Sequence, residues 1–230
     1  MNTLLPALGI SLGAYLLGVF INRSAGNSPL LHPVVLAMLL ATAFLSALRL
    51  FGFAFEDDYF RHNAVLLEGL MLAITAFALP LVENGRKLVR DLPGILATTA
   101  LSSLLIGGST VAVSLLCGFA RDEISALAIR SVTNPMAAVI AEANGISVEL
   151  AMLGVFITGT VGIVVADKIL VWFGVKDERR VGLVLGITCH TFGVVRALER
   201  SDLSAAYATI GMILTGLIYA FAVPFVLTFI

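Results

Sequence analysis

Arg130-Ser-Val-Thr-Asn-Pro-Met136 and, further along the chain, Gly186-Ile-Thr-Cys-His-Thr-Phe-Gly193 are the stretches on which the fold turns. Both lie inside long apolar segments, where polar side chains are expensive. Ser131, Thr133 and Asn134 gather just before Pro135; Thr188, His190 and Thr191 gather just before Gly193. Proline and glycine interrupt helices, and interrupted backbone at membrane depth persists only where it is buried in protein or lines a cavity. A pair of such breaks in corresponding places is the sequence mark of a transporter binding site. Pro135 and Gly193 are therefore the expected helix breaks.

Composition sets the medium. Of the 230 residues, 59% are hydrophobic and only 13% charged, against about 25% charged in an ordinary soluble domain. With a mean hydropathy of +1.03, the chain reads as an all-α integral membrane protein. A formal net charge of −1 supplies no basic field, so nucleic acid is not an expected partner. Cys117 and Cys189 both sit in apolar sequence, which indicates neither a disulfide framework nor a structural zinc site. No catalytic triad, phosphate loop or paired-carboxylate site is legible, so neither an enzyme nor a cofactor is expected. Leu4 to Ile21 is apolar and no basic residue precedes it; the first is Arg23. It reads as a retained transmembrane helix with its N-terminus outside, not as a cleaved signal.

Taken in order, apolar segments cover 4–21, 33–50, 64–82, 94–117, 149–173 and 203–230. The two polar-centred segments cover 124–144 and 181–200. Between them lie a turn at 22–29, an acidic and aromatic loop at Glu56-Asp57-Asp58, a basic loop from Glu83 to Pro93, and the charged loop Lys176-Asp-Glu-Arg-Arg180. A single membrane domain over 1–230 is expected, with scaffold helices in 1–93. The transport core is expected in 94–230, broken near 124–147 and 181–202. One constant offset of 57 positions aligns Ser131 with Thr188, Thr133 with His190, Asn134 with Thr191 and Glu142 with Glu199.

Each polar segment is long enough to cross as one helix or to enter and return as two short arms. Positive charge favours the second. Arg86, Lys87 and Arg90 place their loop inside. Lys168, Lys176, Arg179 and Arg180 then also fall inside only if the first polar segment returns to the face it entered. The expected architecture is about six transmembrane helices plus two oppositely oriented re-entrant or broken-helix segments, with tips meeting near the midplane.

Arg130 is costly in an apolar segment, so it faces a cavity or partner, or else snorkels to the interface; its planar fork suits a carboxylate. His190 binds an anion, carries a proton, or is a packed neutral imidazole. Arg196 faces the same pocket or pairs with Glu199 or Asp202. Ser131, Thr133, Asn134, Thr188 and Thr191 are donors to a substrate or caps of broken helix ends. Glu68 is a second possible proton site or an interfacial residue. Asp167 with Lys168 reads as a terminal pair. Gly107, Gly108, Gly159, Gly162 and Gly216 read as packing positions.

These residues also carry a family resemblance. Arg130-Ser-Val-Thr-Asn-Pro resembles the Lys-Ser-Val-Thr-Thr-Pro element of LrgB/CidB proteins, and Gly186 to Arg196 resembles their Gly-Thr-Ala-Ser-His-Ala-x-Gly-Thr-Ala-Arg element. Leu31-His-Pro-Val-Val-Leu-Ala37 and Ala73-Ile-Thr-Ala-Phe-Ala-Leu-Pro80 resemble further elements of that family in matching order. Arg130, His32 and Cys189 stand where Lys, Asn and Ser are usual, and Glu68-Gly69 replaces a Gly-Pro-like pair. The resemblance implies one of two roles. The first is transport of small monocarboxylates: glycolate or glycerate, as in a plastid relative, or pyruvate, linked to bacterial members. The second is antiholin-like control of murein hydrolase activity and lysis through protein contacts. It also implies a bacterial cytoplasmic membrane and a smaller LrgA/CidA-type membrane partner; a homodimer is expected from the transporter-like architecture, with the first three segments as its scaffold.

Overall fold

The computed structural model describes residues 4–26 and 31–228. All regular elements among them are α-helices: α1 Leu4–Ser24, α2 Pro33–Leu50, α3 Glu56–Ala76, α4 Ala78–Glu83, α5 Gly85–Leu116, α6 Arg121–Ala128, α7 Asn134–Ala143, α8 Val148–Trp172, α9 Glu178–Leu198 and α10 Asp202–Val226. Six of them, α1, α2, α5, α8, α9 and α10, are long and apolar enough to cross a membrane. The protein is an all-α, multi-pass membrane protein.

The chain divides into two compact units, Met1–Thr75 and Ala76–Ile230. In the first, α1 meets α2 closely at Gly18, where a Cβ would press on the Pro33 carbonyl. The Ser11 hydroxyl bonds Tyr59 (2.9 Å) and Asn63 (3.1 Å) of α3. The acidic stretch expected as a loop opens α3 instead, since Asp57 and Asp58 favour a helix N-terminus. Part of the expected 22–29 turn, and residues 229–230 of the last span, lie outside the described residues.

In the second unit, the expected basic loop from Glu83 to Pro93 is helical, being the start of α5. Asp91 fixes it there, accepting from Tyr207 Oη (2.6 Å) and Arg179 Nη1 (3.2 Å). Leu88 and Ile95 pack with Leu183, Ile187 and Tyr207. The division expected at residue 93 thus falls inside one helix, and residues 76–93 pack with the C-terminal unit.

The path of α9 decides the topology. A Cβ at Gly182 would strike the Ser204 carbonyl, and one at Gly186 the Ala208 carbonyl. The two numbers rise together, so the first half of α9 runs parallel to α10. Consecutive helices joined by a short turn are antiparallel unless the first doubles back. The reversal is at His190, whose φ of 43° and ψ of −126° interrupt the helix. The return arm brings Gly193 onto the Leu185 carbonyl and Arg200 to within 3.3 Å of Glu178. The break is therefore at His190 and not at Gly193, which is helical and provides the close approach between the arms.

The first polar segment is a hairpin too. α6 has eight residues and α7 ten, about 12 and 15 Å, so neither spans a core of about 30 Å. Arg121 at the start of α6 donates to the Leu227 carbonyl at the end of α10 (3.1 Å). α7 leads into α8, whose far part carries Asp167 to Arg196 and Arg200, near the start of α10. α6 thus begins, and α7 ends, where α10 finishes. The two hairpins open to opposite ends of this unit. Pro135 sits in the first turn of α7, where its missing N–H costs nothing; the chain unwinds before it, over residues 129–133.

The 57-residue repeat extends to packing. Gly154 of α8 lies against the Ala126 carbonyl and Arg130 Cβ. Gly211 of α10, 57 positions on, lies against the Leu183 carbonyl and Ile187, which stand 57 positions after Ala126 and Arg130.

Candidate functional site

Both hairpin tips abut the middle of α8. Gly154 faces Arg130, Gly159 faces His190 and Phe192, and Gly162 faces Cys189. A side chain at Gly159 or Gly162 would occupy the place of a tip. These glycines lie near the centre of the 25-residue α8, so the tips meet far from either end of it.

Arg130 leaves the C-terminal end of α6 as the helix unwinds. Its Nε and Nη2 donate to Thr110 Oγ1 of α5 (3.2 and 2.8 Å), and Nη1 donates to Thr158 Oγ1 of α8 (3.2 Å). Thr110 passes its own proton to the Ile106 carbonyl (2.7 Å), leaving its lone pairs to the guanidinium. Among the described residues, no carboxylate pairs with Arg130. A half-buried cation held only by hydroxyls keeps its charge uncompensated.

His190 is 1% exposed, and its Nε2 has no hydrogen-bond partner. Its ring meets Phe192 edge to face, 6.1 Å between centroids. The His190 ring lies against Gly159 and the Arg130 side chain against Gly154, which brings the two tips to neighbouring turns of α8. A positive φ is uncommon for a residue with a Cβ and stores about 1–3 kcal/mol of strain. Asn134 Oδ1 and Thr160 Oγ1 are likewise buried without a partner. Ser131, 2% exposed, is within hydrogen-bonding reach of Tyr219, whose hydroxyl donates to the Ser103 carbonyl (3.2 Å).

Two half-helices start at this meeting point. α7 begins at Asn134 after an extended Thr133 whose side chain makes no cap bond, so first-turn N–H groups remain available to an anion. The return arm of α9 begins after His190. Arg130, Ser131, Thr133, Asn134 and His190 thus belong to the two tips. Thr188 bonds back to the Val184 carbonyl (2.7 Å), the local backbone role, and Thr191 reaches Met212 Sδ (3.8 Å).

Arg196 is placed elsewhere. Its Nε donates to Asp167 (3.1 Å), Nη2 reaches the same carboxylate, and Nη1 reaches Glu199. It sits in an ion-pair cluster at the mouth of the second hairpin, away from the tip, with the expected Glu199 and the unforeseen Asp167 as its partners. Glu68 lies mid-way along α3, in the first unit, with an exposed side chain.

Sequence reasoning passed over Thr110, Thr158 and Tyr219, the residues that hold the tip side chains. The available signal was polarity: Thr110 closes Gly107-Gly-Ser-Thr110 in the last turns of α5, and Thr158 opens Thr158-Gly-Thr160 in the middle of α8, both within apolar sequence.

These features define a class: a multi-pass α-helical membrane protein with two opposed re-entrant hairpins whose tips meet at an uncompensated cation. Comparison with known sequences gives the family. The LrgB-like family profile matches residues 11–229, and the chain belongs to that family. An uncharacterized protein of Haemophilus influenzae is 30% identical over 187 residues, 81% of each chain. The holin-like protein CidB of Staphylococcus epidermidis is 28% identical over 199 residues, 86% of this chain and 85% of its own. That of Staphylococcus aureus is 26% identical over 227 residues, 97% of each. No solved structure matches.

Proposed function

We propose that this protein moves small organic anions, monocarboxylates such as glycolate, glycerate or pyruvate, across a bacterial cytoplasmic membrane. The observation that carries the reading is Arg130, a guanidinium held by Thr110 and Thr158 and paired with no carboxylate among the described residues. A carboxylate supplies the missing charge bidentately. The α7 N-terminus adds a favourable dipole. His190 Nε2 and Asn134 Oδ1 are buried without protein partners: Nε2 donates to a carboxylate when it carries a proton, and Oδ1, an acceptor, takes a substrate hydroxyl. Opposed hairpins give each face of the membrane its own route to the tips.

The basic residues at one end of the second unit, Arg86, Lys87, Arg90, Lys176, Arg179 and Arg180, orient that end to the cytoplasm, with the N-terminus of the chain outside. His190 is the candidate proton carrier; Glu68 is the weaker one. A homodimer built on the first unit, and a smaller LrgA/CidA-type membrane partner, complete the reading.

The test is uptake of labelled glycolate, glycerate and pyruvate into proteoliposomes. Wild-type protein takes up at least one of them, and Arg130→Ala takes it up with affinity weakened roughly ten- to a hundred-fold. If the wild type moves none, the second reading stands: the holin-like naming of the CidB relatives favours control of lysis through protein contacts.

A further inference from the structure

We propose that the ion-pair belt around the mouth of the second hairpin is a gate, closed in this structure, that controls access to the tips from the basic end. The proposal deepens the reading of the tips as an anion site and rests on it, but its test does not use transport.

The belt ties every element around that mouth. Glu178, at the start of α9, meets Arg200, just past its end, at 3.3 Å, and Ser201 at 3.3 Å; this clasp closes the outer ends of the two arms on each other. Asp167 of α8 takes Arg196 of the return arm through Nε (3.1 Å) and Arg200 at 3.7 Å. Arg179 of the first arm joins Asp91 of α5 (3.2 Å) and Asp177 (3.0 Å), and Tyr207 of α10 shares Asp91. The Arg179 guanidinium holds the Asp177 carboxyl below the usual carboxylate range. α5, both arms of α9, α8 and α10 are thereby linked.

The opposite mouth is built differently. Arg121 there donates to the backbone carbonyl of Leu227. Glu123 caps its own helix start by accepting from the Ala120 N–H (2.8 Å), and Glu149 accepts from Ser147 (3.0 Å). Among the described residues of this unit, the ion pairs all lie at the basic end. One hairpin is clasped to its neighbours by charge while the other is not.

The strength of the belt suits a gate. Its charged members are about one-quarter to two-fifths exposed, so each pair is worth little in isolation and breaks readily, while several acting together hold a state. Asp167 holds Arg196 of the return arm and Arg200 just past it, so its loss releases the return arm from α8.

Cys189 reports the gate directly. It is 1% exposed, at the tip, against Gly162. With the exposed Cys117 replaced by serine, the rate at which a charged methanethiosulfonate reagent modifies Cys189 in nanodiscs measures access to the tip. Asp167→Asn and, separately, Arg200→Gln are expected to raise that rate about five-fold or more, the effect of removing one modest ion-pair interaction. Rescue is expected from Asp167→Glu, which keeps a carboxylate for both Arg196 and Arg200 and so holds the slow rate, as general loosening would not. Unchanged labelling in both single variants overturns the gate, whether or not the protein transports. Accelerated and rescued labelling in a protein that takes up no carboxylate leaves the gate standing and removes the transport reading instead.

Discussion

The two hairpins occupy equivalent places in the repeat, yet they are broken by different means and carry different side chains at the same positions. In the first, the chain unwinds over 129–133 and restarts at Asn134 with relaxed, extended backbone at Thr133 (φ −79°, ψ 154°). In the second, the reversal is concentrated in His190 at positive φ. The first sets Arg130 against Gly154; the second sets Ile187 against Gly211. Backbone packing is shared between the halves and the charge is not. The repeat therefore accounts for the frame, and the departures from it mark the chemistry.

The largest effect is expected from erasing the packing difference. Hairpin 1 carries Ile129 where hairpin 2 carries Gly186, 57 positions on. Gly186→Ile would drive a branched side chain into the Ala208 carbonyl, backbone that cannot move aside. Monodisperse protein in detergent should be lost, as judged by size-exclusion chromatography. A well-behaved Gly186→Ile protein would mean that the first arm of α9 does not run against α10.

Next comes the charge. Arg130→Ile copies Ile187 into the first half. Removing charge-assisted hydrogen bonds to an anion costs about 1.5–3 kcal/mol, roughly ten- to a hundred-fold in affinity. Uptake concentration curves at equal expression check this. Unaltered half-saturation would move the site away from the first tip.

His190→Gly relaxes the second break toward the ease of the first. Glycine tolerates positive φ, and that relief of about 1–3 kcal/mol offsets the packing lost with the buried ring, so thermal stability should hold, while uptake falls because the imidazole is gone. Held stability with full uptake would leave His190 as a turn residue only.

The smallest effects separate two threonines 57 positions apart. Thr158 accepts from Arg130, whereas Thr215 is buried with no partner for its hydroxyl. Thr158→Val should weaken substrate affinity several-fold, about 1 kcal/mol. Thr215→Val should be neutral or slightly stabilising, because a buried hydroxyl without a partner costs free energy. Equal responses of the two variants would show that the halves use their hydroxyls alike.

The composition and the charged-loop positions determined the membrane medium and the opposed hairpins, because the cost of burying charge in lipid acts residue by residue and leaves its mark in the sequence. The residues of the two tips were legible for the same reason: Arg130, Asn134 and His190 are expensive where they stand. Close packing was less legible. Gly193 looked like the break because glycine commonly ends helices, but its lack of a Cβ serves the approach to Leu185, and His190 bears the reversal. Arg196 looked like part of the site because it lies within a turn of Gly193. It is bound instead to Asp167, 29 residues earlier in the chain, and only the return path of α9 brings those two together. The partners of Arg130 were likewise a tertiary matter. Thr110 and Thr158 lie on different helices, 20 and 28 residues from Arg130, and no local periodicity encodes which hydroxyl a guanidinium will find.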